Sequence, residues 1–162
     1  MDKSHIQQIS INAAVITVST TRTEKDDKSG AAIKEIFGAA DIPVDYYAIV
    51  PDNEEKIRKA CLEALEKANC VVINGGTGIT HDDCTIEAIT PLLQKKMDGF
   101  GEIFRLKSLD DIGTAALLSR AVAGIIDRKA VFCIPGSTGA VKLAMNEIII
   151  KELRHIITHA SK

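Results

Sequence analysis

Short apolar runs rich in β-branched residues alternate along this chain with longer stretches of helical periodicity. The apolar runs predict four strands, at residues 13–18, 44–50, 70–73 and 130–134. Apolar positions three or four residues apart predict helices, over about residues 31–37, 54–68, 85–93, 99–109, 112–126 and 140–157. Ser29 is the predicted cap of the first helix. Strands that alternate with such helices pair in parallel through right-handed crossovers. The pattern therefore predicts a three-layer α/β/α sandwich with a mainly parallel central sheet.

The composition fits a single domain and argues against several classes of partner. The chain has 162 residues, of which 46% are hydrophobic, enough for one core. We expect a flexible polar leader over residues 1–10 and one domain over residues 11–162. The formal net charge is -2, aromatic residues make up 4%, and no apolar stretch reaches membrane-spanning length. These features favour a cytoplasmic protein that binds neither nucleic acid nor membranes.

Two of the predicted strands end in glycines and small hydroxyl residues. One is followed by Gly75-Gly76-Thr77-Gly78, the other by Pro135-Gly136-Ser137. Glycines at the carboxyl end of a strand let backbone N–H groups approach an anion, although each loop also fits a simple tight turn. The dinucleotide fingerprint fails because His81 stands where its last glycine or alanine belongs, and neither loop has the Gly-Lys-Ser/Thr of a Walker motif. The sequence therefore predicts a phosphate-binding edge of another type.

Two carboxylates are predicted on the same edge of the sheet. Asp52 directly follows the second strand, and Asp83 precedes the helix that comes after the first glycine loop. Asp83 also fits an ordinary helix N-cap, and Asp52 fits a turn residue after Pro51. Two carboxylates beside two anion-binding loops favour a third interpretation, a Mg²⁺ site that serves a bound phosphate.

The order of these motifs resembles the MoaB/MogA family of molybdenum cofactor biosynthesis proteins, which includes gephyrin-like G domains. The resemblance covers nearly the whole chain from Ala13 onward. No single motif is decisive, but their order and spacing together are specific. The matching segments are Thr17-Val18-Ser19, Lys28-Ser29-Gly30, Val50-Pro51-Asp52, Gly75-Gly76-Thr77-Gly78, Asp83-x-Thr85, Leu118-Ser119-Arg120 and Pro135-Gly136-Ser137.

The resemblance implies homotrimers or homohexamers and an adenylyl transfer, in which the terminal phosphate of molybdopterin attacks the α-phosphorus of Mg-ATP. The products are adenylylated molybdopterin and pyrophosphate. A phosphate monoester is largely dianionic at neutral pH, so this reaction needs no histidine or serine base. The resemblance assigns Asp52 and Asp83 to catalysis and to the metal. The substrate-binding positions that it implies are Gly75, Gly76, Thr77, Gly78, Thr85, Pro135, Gly136, Ser137, Ser29 and Gly30.

One departure from the family pattern bears on activity. The family usually has Pro-Arg-Asp after its Gly-Gly-Thr-Gly loop, whereas this chain has His81-Asp82-Asp83, so an acid replaces a cation. We hypothesise that Lys28, Arg22 or Lys142 supplies the missing positive charge. An acid here could instead impair ATP binding. The alternative function is then a non-catalytic oligomer that binds and stores molybdopterin.

Three further features have more ordinary interpretations. His155 and His159 lie one helical turn apart without an evident third ligand, so a packing role is favoured over a metal site. The Asp26-Asp27 pair predicts a solvated loop. Arg120 fits a phosphate ligand and a structural ion pair equally well.

Overall fold

Strands and helices alternate along most of the chain. The computed structural model describes residues 9–162, so most of the predicted leader, residues 1–10, lies outside the described residues. The strands are β1 (Ala13–Val18), β2 (Val44–Val50), β3 (Cys70–Asn74), β4 (Lys95–Lys96), β5 (Val122–Ile126) and β6 (Lys129–Ile134). The α-helices are α1 (Lys28–Ala39), α2 (Glu54–Lys67), α3 (Thr85–Ile89), α4 (Asp98–Ile112), α5 (Thr138–Ala144) and α6 (Ile150–Ala160).

The strands form one sheet in the order β2-β1-β3-β6-β5-β4. The first four strands of this order are parallel, whereas β5 and β4 pair antiparallel at one edge. The register places Val18 beside Val50 and Asn74 beside Ile134, so the parallel strands end along a common edge. The predicted mainly parallel sheet is confirmed, and this edge carries the two glycine loops.

Helices cover both faces of the sheet with separate apolar cores. On one face, α1, α4 and the C-terminal helices pack against the strands through buried side chains such as Phe37, Phe104 and Leu153. On the other face, α2 and α3 contribute Ile57 and Ile89. Strands β1, β3 and β6 are almost fully buried because helices cover both faces, as their continuous apolar sequences require. The three-layer α/β/α arrangement is therefore confirmed.

The predicted helix over residues 112–126 is wrong. The chain forms a 3₁₀ turn at Gly113–Leu118 and then β5, which pairs with β6. Gly113 has a φ of 63°, which ends α4. Asp127 and Arg128 both have positive φ values and form a tight hairpin between β5 and β6. This hairpin lacks the usual glycine, so no local turn signal separates β5 from β6, and the apolar run before it resembles a helix.

Two helix boundaries also differ from the predicted ones. The first helix begins at Lys28, and its N-cap is Asp27 rather than Ser29, because the Asp27 carboxylate accepts the Gly30 N–H. The last predicted helix extends from α5 into α6 through a π-helical turn at Met145–Ile149.

Within residues 9–162 no helix is long and apolar enough to cross a membrane.

Candidate anion-binding site

A cavity of about 530 Å³ opens where the parallel strands end. It lies between the loops that follow β1, β2, β3 and β6, together with the end of the 3₁₀ turn. Its position matches the place where open α/β sheets bind ligands. The lining residues are Val18, Ser19, Thr21, Arg22, Asp52, Gly75, Gly76, Thr77, Gly78, Asp83, Leu118, Ser119, Pro135 and Gly136.

The loop after β3 requires glycine at two successive positions. Gly75 and Gly76 have φ values of 92° and 66°, which L side chains rarely adopt. A Cβ atom at Gly75 would lie 2.5 Å from the Val18 carbonyl oxygen. At Gly76 it would lie 2.5 Å from Thr85 Oγ1 and 3.1 Å from Asp52 Oδ1. The glycines thus allow the loop to pass close to β1 and to a carboxylate.

This loop presents a row of backbone donors without protein partners. Gly75 N–H donates to the Ile134 carbonyl at 3.0 Å, which fixes the start of the loop. Within residues 9–162, the next four N–H groups, from Gly76 to Ile79, donate no hydrogen bond. Thr77 is nevertheless buried, and a buried N–H without a partner is costly. Such a row of donors beside a cavity can bind an anion.

Arg120 and Glu87 hold the outer side of the loop. The Arg120 guanidinium donates to the carbonyl oxygens of Thr77 at 2.9 Å and Gly78 at 2.7 Å. It also forms a two-point ion pair with Glu87, and its hydrogen bond lowers the pKa of that carboxyl. In a trans peptide the C=O and the following N–H point in opposite directions. The Thr77 and Gly78 carbonyls therefore point toward Arg120, and the N–H groups that follow them point to the opposite side. The guanidinium of Arg120 thus stabilises the conformation of the loop.

The second glycine loop touches the first. A Cβ atom at Gly136 would lie 3.1 Å from the Cα atom of Gly75, so a larger residue at position 136 would separate the two loops. Pro135 and Gly136 line the cavity, whereas Ser137 caps α5 by accepting the Ala140 N–H at 3.2 Å. The two loops that the sequence suggested thus meet in one place.

Asp52 and Asp83 both line this cavity. Thr20 Oγ1 donates to Asp52 Oδ2 at 2.8 Å, and Asp83 Oδ2 accepts the backbone N–H and the hydroxyl of Thr80. A Cβ atom at Gly78 would lie 2.6 Å from Asp83 Oδ2. The N-cap of α3 is Cys84, so the alternative of Asp83 as a helix cap is wrong. Each carboxylate therefore lies against one glycine of the first loop.

Four predicted binding residues do not line the cavity. Thr85 is buried, and its hydroxyl donates to the Gly75 carbonyl at 2.8 Å, which fixes the first residue of the first loop. Ser29 and Gly30 are buried at the start of α1, and Ser137 is occupied as a helix cap. These residues hold the lining in place, and their assignment to substrate binding stays a prediction.

The prediction of a solvated loop at Asp26-Asp27 is wrong for Asp27, which is only 3% exposed. Its carboxylate accepts hydrogen bonds from Thr17 Oγ1 at 2.7 Å, from the Tyr47 hydroxyl and from the Gly30 N–H at 3.0 Å. A Cβ atom at Gly30 would lie 2.1 Å from Asp27 Oδ2, so only glycine leaves room for this carboxylate. The partners lie 10 and 20 residues away in the sequence, which is why a local pattern could not reveal them.

The environment of Asp27 favours its ionised form. Burial by itself raises the pKa of this carboxyl, but the hydrogen bonds from Tyr47, Thr17, Gly30 and Ser29 together hold it below its ordinary value. Burial and the hydrogen bond to Asp27 raise the pKa of Tyr47. The pair therefore holds one buried negative charge.

Several lining residues were not predicted to bind ligand. Ser19 and Thr21 come directly after β1, and their place at the end of a parallel strand was a usable signal. Leu118 and Ser119 also line the cavity, and they lie in the segment for which the sequence predicts a helix over residues 112–126. Of the three proposed cations, only Arg22 lines the cavity, while Lys28 and Lys142 lie on other, exposed surfaces.

The surroundings of Cys84, His155 and His159 do not favour a nucleophile or a metal site. Burial and the nearby Asp52 raise the pKa of the Cys84 thiol, which disfavours a nucleophilic thiolate. The His155 and His159 rings pack edge to face 4.8 Å apart. Within the described range no group of three or more His, Cys, Asp or Glu side chains is arranged to hold a metal ion.

Comparison with known proteins identifies the family. Residues 14–155 match the family model described as "Probable molybdopterin binding domain". The chain belongs to this family. The chain is also similar to the molybdenum cofactor biosynthesis protein B of Bacillus cereus, which is 50% identical over 149 residues, 90% of this chain and 88% of that protein. The MoaB/MogA resemblance is therefore confirmed.

Solved structures of similar proteins have the same fold. A crystal structure of a molybdenum cofactor biosynthesis protein B superposes with a TM-score of 0.91 at 48% identity, covering 94% of this chain and 97% of that one. The tungsten cofactor synthesizing protein MoaB from Pyrococcus furiosus gives a TM-score of 0.86 at 43% identity, covering 94% and 98%. The family match over residues 14–155 includes both glycine loops.

Proposed function

We propose that this protein acts in molybdenum cofactor biosynthesis, where it transfers the adenylyl group of ATP to molybdopterin. One observation carries the proposal: three residues with unpartnered backbone N–H groups, Gly76, Thr77 and Gly78, line the same cavity as the two carboxylates. The donors suit phosphate groups, and the family is described as binding molybdopterin. ATP and the terminal phosphate of molybdopterin are the two anions that such a cavity would bring together.

The carboxylates fit a Mg²⁺ ion better than they fit a bare phosphate. Asp52 and Asp83 offer hard oxygen donors, and Mg²⁺ usually binds one or two carboxylates together with substrate phosphates and water. Without a cation, two carboxylates would repel an anion bound at Gly76–Gly78. Bound Mg²⁺ would neutralise charge on the phosphates of ATP, and Asp52 and Asp83 are the residues that would hold it.

The residues of the chain would act by binding and orienting the substrates. The N–H groups of Gly76, Thr77 and Gly78 hold one phosphate, while Arg120 binds the Thr77 and Gly78 carbonyls on the other side of the loop. An oxygen of the molybdopterin phosphate then forms a bond to the α-phosphorus of ATP. The bond from that phosphorus to the bridging oxygen of pyrophosphate breaks, and pyrophosphate leaves with the electron pair. Alignment of two anions with reduced repulsion accounts for the catalysis.

The His81-Asp82 departure from the family pattern, which favoured a storage function, lies outside the cavity. His81 and Asp82 are exposed, and neither lines the cavity wall. The acid that replaces the family cation therefore does not displace ATP from the wall directly. Storage of molybdopterin without transfer remains the alternative outcome of the assay below.

We also propose that the protein forms a homotrimer or homohexamer. Exposed apolar side chains recur every third residue on α4 and continue in the 3₁₀ turn. A cluster of this kind marks an association surface. We call it the α4 patch; its members are Ile103, Leu106, Leu109, Ile112, Leu117 and Leu118.

The test of the enzymatic proposal follows adenylylated molybdopterin in a reaction of purified protein, molybdopterin, ATP and Mg²⁺. We expect product from the wild type and at least a roughly hundredfold lower rate for Asp52→Asn and Asp83→Asn, since each loses a charge beside the phosphates. Asp82→Asn is the matched control, because this neighbouring acid lies outside the cavity. Equal rates for Asp83→Asn and Asp82→Asn would remove Asp83 from the mechanism. Tight molybdopterin binding without product from the wild type would favour storage.

A further inference from the structure

The cavity has one cationic side chain in its lining, Arg22, among the residues that the structure describes. The other nearby guanidinium, Arg120, is committed to two loop carbonyls and Glu87. A cavity that binds ATP and a phosphate monoester beside two carboxylates requires positive charge to offset their repulsion. Arg22 is therefore the side chain of the described lining that can offer positive charge to an anion.

Arg22 is held at one end and open at the other. Its Nη1 donates to Ser29 Oγ at 2.6 Å and lies 3.7 Å from Asp27 Oδ1. Within the described part of the chain, Nε and Nη2 make no hydrogen bond. The side chain is 38% exposed and borders the cavity. One edge of the guanidinium is thus anchored, and two donors remain for a ligand.

The anchor itself is rigid. Asp27 is fixed by Tyr47, Thr17 and the Gly30 amide, so its charge cannot move away from Arg22 without loss of buried hydrogen bonds. The Ser29 hydroxyl lies 2.8 Å from Asn74 Oδ1, which connects it to the last residue of β3. The same strand leads directly into the phosphate-binding loop. The buried network therefore sets the position of Arg22 relative to that loop.

We propose that Arg22 binds a phosphate group of the substrates and that Asp27 is the positioning residue that holds it in place. This proposal rests on the proposed function, since it assigns the cation of the same cavity. Arg22 offers two parallel donors to one phosphate, a geometry that lysine cannot reproduce. The competing interpretation is a surface ion pair of Arg22 with little effect on binding.

The first test measures binding of pyrophosphate and of Mg-ATP by isothermal titration calorimetry. We expect Arg22→Ala to weaken binding roughly 10- to 100-fold, which corresponds to the loss of charged hydrogen bonds. Arg22→Lys should recover only part of the affinity. Lys25→Ala removes an exposed cation from the same segment outside the cavity lining and should leave binding unchanged. Equal affinity of wild type and Arg22→Ala would overturn the role of Arg22.

The second test separates positioning from stability by a double-mutant cycle. We expect Asp27→Asn to weaken pyrophosphate binding several-fold in folded protein, and to add nothing in the Arg22→Ala background. Additive effects, or a lower Tm with unchanged affinity, would overturn the positioning role. A wild type that binds anions in an Arg22-dependent way but makes no adenylylated molybdopterin would refute only the proposed function. Failure of the wild type to bind either anion would refute both.

Discussion

The Asp27 carboxylate is the most consequential single group of the buried network, because it joins β1, β2 and the start of α1. Its partners Thr17 and Tyr47 come from two adjacent parallel strands, and it also caps α1 through Gly30. Removing a buried acceptor leaves these donors unsatisfied, at a cost of about 1 to 3 kcal/mol for each group that finds no water. Fold stability and the position of Arg22 therefore depend on the same side chain.

We predict that Asp27→Asn lowers the free energy of unfolding at pH 7 by about 2 to 4 kcal/mol, since the amide cannot accept the same donors. The pKa of Asp27 is lower in the folded state, so the carboxylate stabilises the fold above its unfolded value of about 3.9. That contribution is lost as the pH falls through the lower folded value. The difference between wild type and variant should thus shrink below about pH 4.

Urea unfolding at a series of pH values measures this difference. The exposed Asp82→Asn is the control and should follow the wild-type curve within about 0.5 kcal/mol. A gap between wild type and Asp27→Asn that stays constant from pH 7 to pH 3 would contradict the assignment.

At the scale of the element, α1 contains two glycines in opposite surroundings. Gly30 is buried at its first turn, where a Cβ atom would collide with Asp27 Oδ2, whereas a Cβ atom at Gly38 would meet nothing within 4 Å. Helix propensity alone favours alanine at both positions. The surroundings of each glycine, and not its helix propensity, therefore decide whether alanine raises or lowers the free energy of unfolding.

We predict that Gly38→Ala stabilises the protein by about 0.5 kcal/mol, while Gly30→Ala destabilises it by about 2 kcal/mol or more. Free energies of unfolding in urea at pH 7 provide the measurement. Since both sites lie in one helix, each variant is the control for the other. A stabilising Gly30→Ala would show that the Asp27 carboxylate can move away without cost.

The elements also show what the sequence could and could not reveal. Strands β1, β3 and β6 were predictable because buried strands are continuously apolar, and the glycine loops and carboxylates were predictable because they follow the ends of parallel strands. Strand β5 was missed because Asp127 and Arg128 make its turn without glycine. The burial of Asp27 and the role of Arg22 depend on contacts with distant strands, for which a local pattern has no signal.

At the scale of the whole molecule, the candidate site and the α4 patch share a boundary. Leu118 belongs to the patch and also lines the cavity, and Ser119 follows it in the wall. A second copy seated on the patch would lie beside the entrance of the cavity. Assembly would therefore shield the phosphate-binding loop from solvent on that side, and loss of assembly should reduce turnover as well as mass.

We predict that Leu106→Glu combined with Leu117→Glu converts the protein from an oligomer into a monomer in sedimentation velocity, because the change places charge on the two most exposed members of the patch. The fold should persist, since these side chains are 65% and 75% exposed. Leu62→Glu is the control, an exposed leucine on α2 away from the patch, and should leave the oligomer intact. A wild type that sediments as a monomer, or an oligomer unaffected by the double change, would show that the patch serves another purpose.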